Sequence, residues 1–464
     1  MLGYIISGWS EVKRVDLLVA VLLTLSGVVV CLWREISLAW ALLAGFVCFF
    51  MVGLYRGFLV RALLRMTLQG GKTAFPVVRI LLLIGLLTAL WRASGTIAFF
   101  VQAGAGLITP KSFILMAFVL PATMSLAFGS SFGVAGTAGV ILMTIARSAD
   151  ANLLITAGAI LSGAYVGERL SPASSAAALV AAVAGTQQEV MQRCMWRTSV
   201  CPLLLTLLIY GVCSLVYPIA SVDEHIFGAL RAEFVMDWLA ILPALLLIAL
   251  PLFRVSGLVG ISLSCALAAA LALAVQGIAP AELAAVCVLG YAPKQPELAG
   301  ILSGGGLVSM LSVVMIVVLS CSFSGLFSGT GMLVPWQEKT GRLVERVGLM
   351  PAHVFLGLCG AALFCNQAVT VVVAGDLMRE RYRERGLSNL QFGVNLGDTM
   401  VTLPAMIPWS IACSVPLTTI GAPLPAVLFA VYLYMQPLSR CFGRAARQSG
   451  TDSGKSDRDV AGGG

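Results

Sequence analysis

Residues 113–146 read FILMAFVLPATMSLAFGSSFGVAGTAGVILMTIA. A helix rises about 1.5 Å per residue, so roughly 20 apolar residues cross a hydrocarbon core of about 30 Å. This run of about 34 residues is too long for one crossing helix. Its centre carries Phe128-Gly129-Ser130-Ser131-Phe132-Gly133, a polar, glycine-containing interruption. The stretch reads as a helix broken at membrane depth. A second one stands in the other half: Pro351 to Gly375 is interrupted by Phe364-Cys365-Asn366-Gln367.

The surroundings confirm the solvent. The chain has 464 residues, is 59% hydrophobic and 11% charged, and has a mean hydropathy of +0.97. That leaves too little polar surface to cover a soluble globule of this size. Long apolar runs recur at Leu17 to Trp33, Ile36 to Tyr55, Val200 to Ile219, Phe234 to Phe253 and Val255 to Val275. Lipid leaves no water to satisfy backbone polar groups, and these runs lack the alternation of a membrane barrel. The fold class is therefore all-α, a polytopic helical membrane protein. Glu11 and Asp16 interrupt the basic N-terminal region and no small-x-small cleavage site follows, so the first run reads as a retained helix rather than a signal peptide.

The 12 cysteines are scattered through apolar runs without a CxxC pair, and His225 and His353 lie far apart. Membrane-core packing explains them better than disulfides or a metal site. The formal charge of +8 points to orientation in a bilayer rather than to nucleic acid, because the arginines sit in short loops. Arg56, Arg61, Arg65 and Lys72 place their loop in the cytoplasm, and with it the N-terminus. Arg193 and Arg197 place the next basic loop inside, whereas Asp223, Glu224, Arg231 and Glu233 mark an outer one. Arg254 and the basic end with Arg440, Arg444 and Arg447 fall inside by the same count.

The organisation expected is N-terminal transmembrane helices over 1–74, a first repeat over 75–198, connecting helices over 199–305 and a second repeat over 306–422. A last helix and basic end follow over 423–447, then a disordered cytoplasmic tail over 448–464, rich in Gly, Ser, Asp and Arg. Each repeat holds a broken helix, then a Gly-acid step (Gly167-Glu168 and Gly397-Asp398), then a polar proline-containing segment that reads as re-entrant. The charge count makes the two repeats enter from opposite sides, the pattern of an inverted-repeat transporter with a midplane site.

An unwound helix is tolerated at that depth only where its free groups line a cavity or coordinate something. Half-helix N-termini favour anions, and exposed carbonyls favour cations. Ser130, Ser131, Asn366 and Gln367 add neutral oxygen ligands. Glu168 and Asp398 are the acids placed at membrane depth, where a carboxylate suits a proton relay or one shared between proton and cation. For Glu168 the bland alternative is a local pair with adjacent Arg169. No basic residue lies near Asp398 in sequence. Ser171, Ser174 and Thr399 are further candidate ligands, although hydroxyls here also satisfy freed backbone. Trp409, after Pro408, is either an interfacial anchor or a gate. The charge run from Asp376 to Arg385 reads as a solvated loop or helix surface. Gly70-Gly71-Lys72-Thr73 ends like a phosphate-binding loop, but Met66 occupies the first glycine position and no strand precedes it. Without a nucleotide domain, transport would run on ion gradients.

From Phe75 to Pro437 the chain resembles the NhaC-type sodium/proton antiporters of bacteria, within the ion transporter superfamily. Phe128-Gly129-Ser130-Ser131-Phe132-Gly133 is similar to the family's TGTSWG, and Leu161-Ser162-Gly163-Ala164-Tyr165-Val166-Gly167-Glu168 to its LSGAxFGD. Ser171-Pro172-Ala173-Ser174 opens like SPxSDTT. Tyr382-Arg383-Glu384-Arg385-Gly386-Leu387 is similar to Y-x-x-x-G-L, and Asp398 stands ten residues before Pro408-Trp409, as in EDSGTVTSPLIPW. Three acids of the family pattern are replaced, by Ser175, Asn366 and Gly397. The resemblance implies an ion-coupled antiporter working by alternating access, exchanging sodium and protons or organic acids. The expected partners are membrane lipid and a small ion or organic solute, with no nucleic acid, no cofactor and no metal beyond a transported cation. Self-association into a homo-oligomer stays open. The alternative is a non-transporting membrane enzyme or scaffold, disfavoured because no nucleophile-base pair or metal spacing stands out. The setting implied is the inner (plasma) membrane.

Overall fold

The computed structural model describes residues 15–34, 36–72, 74–107, 109–219, 224–253, 255, 257–330 and 343–442. The expectations for Glu11, Asp223, Arg254, Arg444, Arg447 and the tail from 448 lie outside the described residues. Among those described, the elements are helices, and β pairing is confined to one isolated bridge between Tyr291 and Gly304.

Three helices lead in: α1 Val15–Trp33, α2 Leu38–Tyr55 and α3 Val60–Lys72. The first half follows with α4 Phe75–Ala93, α5 Thr96–Leu107, α6 Phe113–Phe128, α7 Ser131–Ser148, α8 Leu153–Leu170, α9 Ser175–Ala184 and α10 Gln188–Val216. The connecting region contains α11 Glu224–Glu233, α12 Leu242–Leu252, α13 Gly257–Ala274 and α14 Pro280–Leu289. The second half brings α15 Leu311–Thr330, α16 Leu349–Phe364, α17 Gln367–Glu384, α18 Asn389–Met400 and α19 Ile411–Thr419, and α20 Val431–Phe442 closes the described chain.

Helices α4, α7, α8 and α10 are each long and apolar enough to cross a membrane. Residues 389–406 and α19 form a further pair bent by 56°. The outer face of α10 exposes Val200, Leu204 and Leu208 by 54%, 61% and 63%. A continuous apolar stripe of that kind belongs against lipid. The chain is a multi-pass membrane protein.

Two spans differ from their expected bounds. Helix α10 begins at Gln188, ahead of the apolar run, because the basic stretch through Arg197 continues the same helix. The run from Phe234 becomes helical only at Trp238, where Asp237 caps a 3-10 turn. Upstream of that turn the Gln276 side chain holds the Val235 backbone on both sides, at 3.0 Å each. The charge run from Asp376 is the last part of α17, with Arg381 and Glu384 paired at 2.8 Å.

The same succession of caps and turns occurs twice, 236 positions apart (365 − 129). Helix α6 ends in left-handed Gly129 (φ 66°, ψ 18°), and α16 in left-handed Cys365 (φ 54°, ψ 13°). The next residues are extended caps, Ser130 at φ −139°, ψ 119° and Asn366 at φ −137°, ψ 123°. The register continues through positive-φ Asp150 and Gly386, N-caps Asn152 and Ser388, N-caps Ser174 and Ser410, and left-handed Gly185 and Gly421. Helices α4 and α15 also begin in register. The two Gly-acid steps do not correspond. In this register Asp398 falls opposite Ser162, and Glu168 opposite Pro404, because α8 runs unbroken to Leu170 while α18 stops at Met400.

Helix α8 crosses α6 nearly backbone to backbone. The Ser125 hydroxyl donates to the Gly163 carbonyl at 2.9 Å and accepts from the Gly167 N–H at 2.8 Å. A Cβ on Gly167 would stand 1.9 Å from the Ser125 carbonyl carbon and oxygen. Small residues four apart are how membrane helices approach this closely. This crossing sets the end of α8 against the break at Gly129. Gly167→Val is therefore expected to destabilise the fold by at least about 3 kcal/mol. The check is recovery of monodisperse protein in detergent, which should fall sharply relative to the unaltered chain.

Candidate functional site

A cavity of about 280 Å³ lies where the two breaks meet. Its walls come from the first turns of four helices: Phe132 of α7, Ser175 and Ala176 of α9, Gln367 and Ala368 of α17, and Ile411 and Ala412 of α19. Val77, Leu179 and Val371 supply apolar wall, and Asn366 sits at the second break. Each helix start carries the partial positive charge of unsatisfied N–H groups, so four such ends converge on one space.

Each end is anchored locally. Ser130 caps α7 by accepting from the Gly133 N–H at 3.3 Å. Asn366 caps α17 by accepting from the Ala368 N–H at 2.9 Å. The Cys365 carbonyl, freed by the break, accepts from the Ile411 N–H at 2.9 Å, which seats α19 on the broken helix. The Tyr165 hydroxyl donates to the Ala412 carbonyl at 2.6 Å and ties α8 to the same place.

Glu168 is the acid in this cavity. Its Oε2 accepts from the Ser131 N–H, the first free donor of α7, at 2.6 Å. The carboxylate thus occupies the positive end of a half-helix, where a negative charge is stabilised. The Gln367 amide donates to the Val401 carbonyl at 2.8 Å and links the cavity wall to the end of α18.

Other candidates lie outside this cavity. The Ser174 hydroxyl caps α9 by accepting from the Ala177 N–H at 3.1 Å, and it donates to the Glu168 carbonyl. The Ser171 hydroxyl accepts from the Ala173 N–H at 3.1 Å. Thr399 donates to the Asn395 carbonyl of its own helix at 2.8 Å and approaches His353 Nδ1 at 3.5 Å. The Trp409 indole N–H donates to the Ala362 carbonyl at 2.9 Å, pinning the segment before α19 to α16.

Asp398 belongs to a second, separate cluster. Successive helical residues point about 100° apart, so Glu168 faces the cavity while Arg169 faces α10, α18 and α20. The Arg169 guanidinium and the Asp398 carboxylate are both fully buried, and they meet at 2.5 Å. Arg169 also donates to Ser199 at 2.5 Å, Thr198 at 2.9 Å, the Met195 carbonyl at 3.1 Å and the Tyr432 hydroxyl at 2.9 Å. Arg440 brings its Nε to 2.9 Å from the other Asp398 oxygen, too poorly aligned for a hydrogen bond. It also donates to Asn395 at 2.7 Å. The pairing of Glu168 with adjacent Arg169 does not occur. The partner is Asp398, 229 positions away.

Sequence reading gave Arg169 only a local partner and Arg440 only an orienting charge, and it assigned Tyr165 no role. For Arg169 a signal existed, since an arginine inside an apolar helix needs a buried acid. Nothing local pointed to Arg440 or Tyr165, which act across long sequence distances.

Comparison with known proteins fits these features. The sequence profile of the Na+/H+ antiporter family matches residues 4–215 and 186–438. The malate-2H+/Na+-lactate antiporter of Bacillus subtilis (strain 168) is 27% identical over 380 residues, 79% of this chain and 81% of its own. The arginine/ornithine antiporter ArcD of Halobacterium salinarum is 28% identical over 358 residues, 75% of this chain and 74% of its own. The Na+/H+ antiporter NhaC of Alkalihalophilus pseudofirmus is 23% identical over 378 residues, 80% of this chain and 82% of its own. With the profile spanning both halves and the breaks that define the cavity, this chain belongs to the Na+/H+ antiporter family.

Proposed function

We propose that the protein is an ion-coupled antiporter, working by alternating access, whose cavity takes the carboxylate end of a small organic acid, with Glu168 carrying the coupled proton. The observation behind this reading is the placement of Glu168 among four helix N-termini. An ionised Glu168 neutralises that positive field itself. Once it is protonated, the field is left for a substrate anion, so proton and organic anion would enter together, and a second solute would leave through the same cavity in exchange. The volume agrees, since 280 Å³ holds about nine waters at roughly 30 Å³ each, far more than a bare sodium ion needs. The malate and lactate of one relative and the amino acids of another are solutes of that class.

Sodium/proton exchange is the second reading. It is supported by the oxygens of Asn366 and Gln367 at the second break and by the NhaC relatives. Either way the protein acts as a transporter rather than an enzyme. The doubled caps support two repeats, and the loop charges support an inverted arrangement in the plasma membrane with both termini cytoplasmic. In the same proposal Asp398 acts through Arg169 as a clamp joining α8, α10, α18 and α20. A change of state at Glu168 is then passed to the second half through the neighbouring residue.

Two outcomes are expected. In proteoliposomes preloaded with sodium lactate and a pH-sensitive dye, external malate or another small organic acid should enter in exchange and change the internal pH. Glu168→Gln should reduce that change to the level of protein-free vesicles, and an unaffected variant would sink the assignment. A response to sodium alone would select the second reading. Asp398→Asn leaves Arg169 buried without its counter-ion, and is expected to cost about 3 to 5 kcal/mol. Thermal unfolding in detergent measures this, and the double variant Arg169→Met/Asp398→Leu should recover a substantial part.

A further inference from the structure

A second and larger space lies away from the helix breaks. It is an open groove of about 1250 Å³ formed by α3, the start of α4 and the middle of α15. Helix α3 lies fixed against α15: a Cβ on Gly70 would stand 2.3 Å from the Cys321 carbonyl oxygen and 2.7 Å from Gly325. The groove wall is therefore set by backbone contact rather than by mobile side chains.

Two stripes of α3 face the groove. Arg61, Arg65 and Lys72, at i, i+4 and i+11, fall within about 40° of one another around the helix. All three are exposed. No carboxylate pairs with them among the described residues. Arg56, the fourth basic residue of this loop, is held by Asp16 at 2.9 Å. Beside the basic stripe run Leu64 and Leu68, 48% and 65% exposed, and Val318 of α15 continues the apolar floor. The Thr67 hydroxyl lines the same space, shielded from water and without a hydrogen-bond partner.

We propose that this groove is a binding site for an anionic phospholipid, with the phosphate on Arg61, Arg65 and Lys72 and an acyl chain along Leu64, Leu68 and Val318. A basic row directly beside an apolar row at the end of membrane helices matches a headgroup joined to its tail. A soluble anion would use the charges and leave the apolar floor open. A zwitterionic lipid would use the floor and gain little from three cations. Because α3 is locked to α15, which lies in the second half, an occupied groove would brace the lead-in helices against the moving parts.

The test uses the full chain in nanodiscs of phosphatidylcholine mixed with phosphatidylglycerol, with lipid retained through extraction quantified by native mass spectrometry. Phosphatidylglycerol should be enriched on the protein, and the enrichment should fall as salt is raised. At about 1 kcal/mol per basic residue, each neutralising substitution weakens retention roughly five-fold, and Arg61→Gln/Arg65→Gln/Lys72→Gln weakens it on the order of 100-fold. If the triple variant fails to fold, Leu64→Trp and Leu68→Trp fill the floor without altering charge and should reduce retention alike. Equal retention of the two lipids, or an unchanged preference in these variants, overturns the proposal. So does a dimer that the triple variant dissociates, which would assign the groove to a second copy. Anionic-lipid retention that appears only after removal of residues 1–14 would assign it to that segment instead.

Discussion

A helix that stops inside a bilayer leaves N–H and C=O groups with no water to receive them, and this protein stops two. Most of what surrounds the breaks serves to answer those groups. Ser130 and Asn366 cap the helices that restart, the Ile411 N–H takes the freed Cys365 carbonyl, and Glu168 takes the first N–H of α7. The cavity is the space that remains once those obligations are met. The Gly163 and Gly167 contacts with Ser125 belong to the same logic, since only a close crossing of α6 and α8 brings Glu168 within reach of Ser131.

The membrane class and the position of both breaks could be read directly from sequence. A 34-residue apolar run with a Gly-Ser-Ser centre has few other physical solutions. Ser131, Asn366 and Gln367 stand out in sequence because they sit at the breaks, and Glu168 because it is an acid at membrane depth. The fate of Asp398 was not legible. Its partner is 229 residues away on a different helix, and period and spacing carry no information about such a contact. The two Gly-acid steps misled because they share composition but not register. The register becomes visible only when Gly129 is set against Cys365 and Ser174 against Ser410. Hydroxyls at Ser171 and Ser174 could not be told apart from ligands in sequence, and in the structure both serve backbone N–H groups.

Residues 168 and 169 divide two kinds of work across one turn of helix. The glutamate looks into a space with room for a solute, and the arginine looks into a space with none. Arg169 makes six hydrogen bonds to five groups, drawn from α10, α18 and α20. A buried pair of this kind contributes little net stability against an apolar substitute, yet losing one partner is costly. One guanidinium thus ties α8 to α10, α18 and α20 in a single arrangement.

The two breaks share a backbone path but not a residue. Gly129 enters the left-handed region without a steric penalty, whereas Cys365 enters it carrying a side chain, at a cost of about 1 to 2 kcal/mol. A scaffold doubled in shape is thus unequal in internal load. The first break has no room for the side chain the second one carries, because a Cβ on Gly129 would stand 2.5 Å from the backbone joining Ala173 and Ser174.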